Sequence, residues 1–393
     1  MHILLLPSWY PKREGDVSGV FFRDQALALS RYGHTVGVIS PQLKSLKELF
    51  RFGSEKTYPY FENDSNLFTY RKRVLAAIPK VPYGNYWLFT KTARKLMRDY
   101  VREHGKPDVI HAHSLILGGA AAVRIGNEWQ IPVVLTEHSS AFARNIYMKW
   151  QLSLASRSAK ASQLCISVSP ALGELLSEKL PNLDLAWKWI PNVVADRFRS
   201  RCRPDNDARP LIFLNLALMT ENKGQKDLIK AFEQVIESGL AAELWFAGDG
   251  PIRSELNKLA QNLSLEQKIK FLGLVEPDKV PELLQIADVM VISSHYETFG
   301  VVAAEALMGG LPVVATRCGG PECIVGDGDG ILVPPNDPKA LSKGMLEVGC
   351  NIKGFSSTEI ANRAKLRFSG QAVAEQLTKE YERVLLEFGE NTF

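Results

Sequence analysis

Ten short runs rich in apolar and β-branched residues alternate with stretches of helical spacing, and this alternation restricts the chain to parallel sheets joined by crossover helices. The first five are HILLL at 2–6, HTVGVIS at 34–40, DVIHAHS at 108–114, PVVLTEH at 132–138 and LCISVS at 164–169. The rhythm resumes with IFLNLAL at 212–218, AELWFAG at 242–248, IKFLGLV at 269–275, DVMVISS at 288–294 and PVVAT at 312–316. These later runs are almost continuously apolar, as strands covered on both faces must be. Between the two sets lies ADRFRSRCRPDNDARP at 195–210, polar and rich in Arg, which reads as an exposed connection.

Length agrees with that division, because 393 residues exceed what one ordinary core organises. The expected domains are 1–195, 196–368 and a closing helix over 369–393, where GQAVAEQLTKEYERVLLEF carries apolar residues at helical spacing. No window is apolar for the length of a membrane span, and the opening HILLLPSWYP reads as a buried strand and not a leader. Five cysteines without paired spacing fit a reduced, cytoplasmic chain. Lys and Arg exceed Asp and Glu by 11 over residues 1–200, and fall 7 short of them over the remainder.

Chemistry concentrates in SSHYETFGVVAAEALMGGLPVVATRCGGPE, residues 293–322. Glu297 falls at the carboxyl end of a strand, where open parallel sheets bind ligands, and the next helix is expected over 299–309. Thr298, Phe299, Gly300 and Val301 would offer backbone N–H groups to a diphosphate, with Gly300 permitting close approach. In isolation Glu297 would be a helix cap and Glu305, two turns further in, a solvated helix residue. The helix around Glu305, VVAAEALMGG, is apolar, however, and a charge there needs a hydrogen-bonding partner such as a sugar or ribose hydroxyl.

The pattern E-x-F-G-x-x-x-x-E-A, followed by G-x-P-V-V-A-T and G-G-P-E, resembles the retaining family 4 glycosyltransferases of the GT-B fold. The likeness extends through Gly15 and Gly19, HAH, TEH, SVS, PNVV, NKG, AGDGP and FLG to the last helix. It implies two Rossmann-like doubly wound domains facing a central cleft, the C-terminal helix crossing back to the N-terminal domain. Glu297 would then contact donor-sugar hydroxyls, Glu305 the ribose, and Lys223 the diphosphate. Gly248, Gly250 and the FLG–Leu274 segment would surround the base, and Gly15 and Gly19 would form a glycine-rich loop against donor phosphates and acceptor. His113 would sit beside the donor sugar and His138 near the acceptor; a satisfied structural histidine is an equal reading of each. Most relatives carry an arginine where this chain has Leu218, so Arg317, Lys226 or backbone amides are candidates to balance the second part of the diphosphate charge.

The implied reaction is metal-independent transfer, with retention, from a nucleotide-diphosphate sugar, UDP favoured, to a glycan or lipid-linked acceptor in envelope or exopolysaccharide synthesis, with no cofactor. A non-catalytic nucleotide-sugar-binding subunit and a UDP-sugar 2-epimerase are the competing readings. His111 and His113 share one strand face without a third metal ligand, and Asp327 and Asp329 in GDGDG read as a turn. The stretch RKRVLAAIPKVPYGNYWLFTKTARKLMR at 71–98 mixes basic and aromatic residues, which suits peripheral contact with anionic membrane or a solvated helix face. No nucleic-acid recognition module accompanies it.

Overall fold

The computed structural model describes residues 1–11, 16, 19–44, 60–76, 81, 83–180, 183, 185–200 and 209–390. These form two compact units, Met1–Val193 with Gly370–Phe393, and Val194–Ser369. The fold is GT-B in class, each unit a Rossmann-like layer of parallel strands with helical crossovers.

In the first unit the strands are β1 (His2–Pro7), β2 (Thr35–Lys44), β3 (Phe61–Asp64), β4 (Leu67–Leu75), β5 (Val109–His113), β6 (Val133–Glu137), β7 (Leu164–Ser167) and β8 (Lys188–Trp189). Their order is β3-β4-β2-β1-β5-β6-β7-β8, parallel except for the β3–β4 hairpin. The helices are α1 (Val20–Arg31), α2 (Gly84–His104), α3 (Ala120–Trp129), α4 (Lys149–Lys160) and α5 (Pro170–Lys179). Strand order reverses between β1 and β5, which pair from Ile3↔Val109 to Pro7↔His113 and so open a switch point beside His113.

The second unit orders β9 (Leu211–Leu216), β10 (Ala242–Ala247), β11 (Ile269–Gly273), β12 (Val289–Ile292), β13 (Val313–Thr316) and β14 (Gly330–Val333) as β11-β10-β9-β12-β13-β14, all parallel. Its helices are α6 (Gln225–Glu237), α7 (Arg253–Asn262), α8 (Val280–Ile286), α9 (Val301–Met308), α10 (Pro338–Cys350) and α11 (Ser357–Phe368). Here the switch point lies between β9 and β12. Phe213, Leu244, Phe246 and Val291 from the sheet, with Leu228, Phe232 and Met345 from the helices, form a core with almost no solvent exposure.

The last helix, α12 (Gly370–Glu390), belongs to the first unit. Its stripe Val373, Ala374, Leu377, Tyr381 and Val384 joins the cluster of Ile3, Leu5, Phe22 and Leu29, each large side chain contributing roughly 1.5–3 kcal/mol of gross burial energy. Gly370 permits the approach, since a Cβ there would stand 3.1 Å from that of Ala28. His34 Nε2 meets Thr378 Oγ1 at 2.8 Å and Lys188 pairs with Glu380 at 2.8 Å, fixing the helix along its length.

Candidate active site

Two loops meet at the switch point of the second unit. After β9 the chain passes Leu218, which is 61% exposed, then makes a tight turn over Glu221–Lys223 and enters α6 through Gly224 in left-handed conformation. After β12 it runs from Ser293 to Gly300, whose φ of 88° starts α9. Lys223 Nζ and Glu297 Oε1 stand 2.5 Å apart, with side chains 25% and 17% exposed, and Ser294 Oγ donates to the same carboxylate oxygen at 2.7 Å. The sequence thus brings a cation and a carboxylate from different crossovers to one point.

Main-chain bonds hold the two loops in register. His295 N donates to Asn222 O at 2.8 Å, Asn222 Nδ2 to Tyr296 O at 3.0 Å and Ser293 Oγ to Lys223 O at 2.8 Å. Gly224 is required by this closeness, because a Cβ there would lie 1.9 Å from Ser293 O. On the far side Glu297 N donates to Cys318 O and Gly320 N to Glu297 O, both at 2.9 Å, which joins the loop to the end of β13. The cation and its partner are therefore held in place by the bonds between their loops.

Helix α9 begins at Val301, so Glu305 lies one turn inside it and not two. Glu305 and Thr298 are half-buried, whereas Phe299 turns its ring into the core against Phe368, leaving its backbone as what it can offer a ligand. Gly248, Gly250 and Leu274 sit at the carboxyl ends of β10 and β11, on the same sheet edge as Lys223. Cβ atoms at Gly248 and Gly250 would strike Ala217 O and Met219 O at 2.0 and 2.3 Å, and Leu274 is 74% exposed. Phe271 stacks on Phe246 and so belongs to the core side of its strand.

The first unit gathers its predicted residues at its own switch point. Gly19 begins α1 at φ 78°, with Trp9 Cδ1 3.0 Å from where its Cβ would be. Gly15 lies outside the described residues. His113 Nδ1 meets His138 Nε2 at 3.0 Å, while His111 stacks on His113 and bonds Thr136 and Tyr381 at 2.7 and 2.6 Å. Phe22 of α1 packs on both His113 and His138. Burial pushes His111 and His138 down to about 3 and His113 well below its ordinary value, so all three are neutral near pH 7. Among the described residues His113 Nε2 has no hydrogen-bond partner.

Sequence reasoning missed Glu137, the residue between Thr136 and His138. Its buried carboxylate accepts from Leu115 N, His138 N and Ser139 N at 2.8, 2.8 and 2.7 Å, tying the loop after β5 to the loop after β6. Burial raises its pKa, against three donors that favour the charged form. It also missed the pair His295–Asp227, at 3.0 Å. A carboxylate inside an apolar strand was the available signal for the first; nothing local marks the second.

Other candidates do not join either site. Asp329 is 2% exposed and held by Arg363 at 2.7 Å, with Gly326 N donating to it, which makes GDGDG a structural turn. No cluster of metal-ligating side chains occurs among the described residues. The basic stretch 71–98 is not one element: its start is the end of β4 and its end is α2, with 77–80 and 82 outside the described residues. Lys91, Arg94 and Arg124 flank a cleft with Tyr86, Thr90 and Trp87, the last 64% exposed. No described helix is long and apolar enough to cross a membrane.

Two switch-point sites on paired Rossmann-like units define a GT-B glycosyltransferase, and comparison with known proteins agrees. Residues 18–195 match the model described as Glycosyltransferase Family 4 and residues 196–351 that of Glycosyl transferases group 1. The chain belongs to this family of glycosyltransferases. It is 27% identical over 370 residues to an uncharacterized glycosyltransferase of Methanocaldococcus jannaschii, covering 88% of this chain and 89% of that one. It is likewise 27% identical over 362 residues to TuaC of Bacillus subtilis, a glycosyltransferase named for teichuronic acid biosynthesis, covering 87% and 88%. Among solved structures, sucrose-phosphate synthase from Thermosynechococcus elongatus superposes with a TM-score of 0.77 at 19% identity, covering 98% of this chain and all of that one. HepE of Anabaena in complex with UDP gives 0.70 at 19%, with the same coverage.

Proposed function

We propose that this enzyme takes a sugar from a nucleoside-diphosphate donor, UDP-linked, and passes it with retention and without a metal ion to a glycan or lipid-linked acceptor of envelope or exopolysaccharide synthesis. The observation that carries this reading is the Lys223–Glu297 pair at the β9/β12 switch point. Lys223 neutralises the leaving diphosphate, Glu297 binds hydroxyls of the donor sugar, and Glu305 binds the ribose. The bond from the anomeric carbon to phosphate breaks as the bond to the acceptor oxygen forms on the same face, and the acceptor proton goes to the departing phosphate oxygen. Names of relatives support the acceptor class: TuaC is named for teichuronic acid, and a Rhizobium meliloti relative, 28% identical over 225 residues, for lipopolysaccharide core.

The acceptor falls to the first unit, where Gly19, His113 and His138 converge. Reaching a lipid-linked acceptor is the task of the cleft on α2: exposed Trp87 inserts at the interface while Lys91, Arg94 and Arg124 meet anionic headgroups.

The test is release of nucleoside diphosphate from UDP-sugars, with and without EDTA, in extracts containing lipid-linked acceptors, followed by anomeric analysis of the product. Retention that survives EDTA is expected; an inverted product or dependence on a divalent ion refutes the corresponding part. Sedimentation with vesicles containing phosphatidylglycerol should be lost in Trp87→Ala with Lys91→Glu. Sedimentation of wild type unaffected by anionic lipid refutes the membrane contact.

A further inference from the structure

We propose that His295, held by Asp227, supplies the second positive contact to the donor diphosphate, at a site where Leu218 leaves this chain without a cation. The inference rests on the donor reading above and names the partner that reading lacks. A diphosphate gains negative charge on its distal phosphate as the sugar leaves, and one lysine already shared with Glu297 meets only part of it.

The other cations around the crevice are committed or misplaced. Lys226 is held by Glu221 and Glu255, both at 2.8 Å, and Arg253 pairs with Asp249 at 3.2 Å. Arg317 is exposed and follows β13, which lies two strands from β9 in the sheet.

His295 sits where the charge is needed. It lies two residues before Glu297, and its Nε2 is 3.1 Å from where a Cβ of Gly224, the neighbour of Lys223, would stand. Its backbone is bonded to Asn222, so the ring is carried by the same pair of loops as the Lys223–Glu297 contact. Asp227, in the first turn of α6, meets Nε2 at 3.0 Å, while the side chains of His295 and Asp227 remain 34% and 24% exposed. A ring that donates Nε2–H to that carboxylate and Nδ1–H to a phosphate oxygen bridges the two, with Asp227 fixing its orientation. His295 is thus a donor-binding residue and Asp227 a positioning residue acting through it.

The experiment is calorimetric titration of the full chain with UDP, GDP and ADP, then with the monophosphate of whichever binds tightest. His295→Asn is expected to weaken the diphosphate about tenfold, as loss of a charge-assisted hydrogen bond does, and to leave the monophosphate within about twofold. Asp227→Asn, which keeps the shape but not the charge, gives a smaller loss with the same selectivity, and Arg317→Ala changes neither ligand. Equal weakening of both ligands, an unchanged diphosphate affinity in His295→Asn, or a loss that follows Arg317 instead overturns the assignment. If wild type shows no preference for any diphosphate over its monophosphate, or Lys223→Ala has no effect, the donor reading itself fails, which is a separate result.

Discussion

Replacing Glu297 by Gln should move binding and turnover in opposite directions. Lys223 and Glu297 stand 2.5 Å apart, so a diphosphate held by Lys223, as proposed, would compete with that carboxylate for the ammonium. Both side chains keep contact with solvent, which places the pair in the range of partly exposed ion pairs, about 0.5–1 kcal/mol. Gln preserves the side-chain shape and an acceptor for Ser294 Oγ while removing the competing charge. Nucleoside-diphosphate affinity should therefore rise by about two- to fivefold in the variant, the gain shrinking as salt is raised. Turnover should fall by roughly a hundredfold or more if the proposed contact of Glu297 with the donor-sugar hydroxyls strengthens in the transition state. Calorimetry at two salt concentrations gives the first quantity and initial-rate measurements the second. Weaker diphosphate binding in Glu297→Gln would show that Lys223 and Glu297 do not compete, and a wild-type rate would remove Glu297 from the reaction.

Lys223→Ala should lower turnover by about a hundredfold or more with diphosphate affinity reduced, and wild-type kinetics would refute its role. Gly224→Ala places a Cβ 1.9 Å from Ser293 O at a φ of 61°, so it should cost about 1–3 kcal/mol in urea denaturation and separate the Lys223 and Glu297 loops; unchanged stability would refute the close approach. Glu137→Ala leaves three N–H groups unpaired, two of them buried, and should destabilise by about 3 kcal/mol, with Gln losing less; equal melting of wild type and both variants would refute this. The folded pKa of His111 and His138, about 3, lies below the ordinary 6.5, so their stabilisation is complete above pH 6.5 and is lost as pH falls from there toward 3. From pH 7 to pH 5 each should cost about 2 kcal/mol, read as a falling urea midpoint that flattens in His138→Asn; a midpoint independent of pH over that range would count against neutral burial.

The parallel architecture was legible because strands buried on both faces must be written in nearly continuous apolar runs, and β9, β12 and β13 are. Glu297 and Gly300 stood out because they sit just beyond such a run, and Lys223 because its NKG segment resembles that of the family. What escaped was whatever depends on two distant segments meeting. The β3–β4 hairpin has a mixed, partly exposed pattern. Asp227 looks like an ordinary first-turn acid until β12 brings His295 beside it. Glu305 was placed a turn too deep because Thr298–Gly300 forms a loop where helical spacing alone continues the helix upstream. The histidines' neutrality comes from packing by α1 and Tyr381, which no local pattern reveals.

Because α12 follows the second unit in the chain yet packs into the first, the first unit stays unfinished until the second has been made. Residues 194–369 are contiguous and can condense as they emerge, whereas Ile3, Leu5 and Phe22 wait uncovered until α12 emerges. A chain stopped before residue 370 should then carry a competent second unit fused to an aggregation-prone first one, so that loss of α12 damages residues Met1–Val193, upstream of the whole second unit.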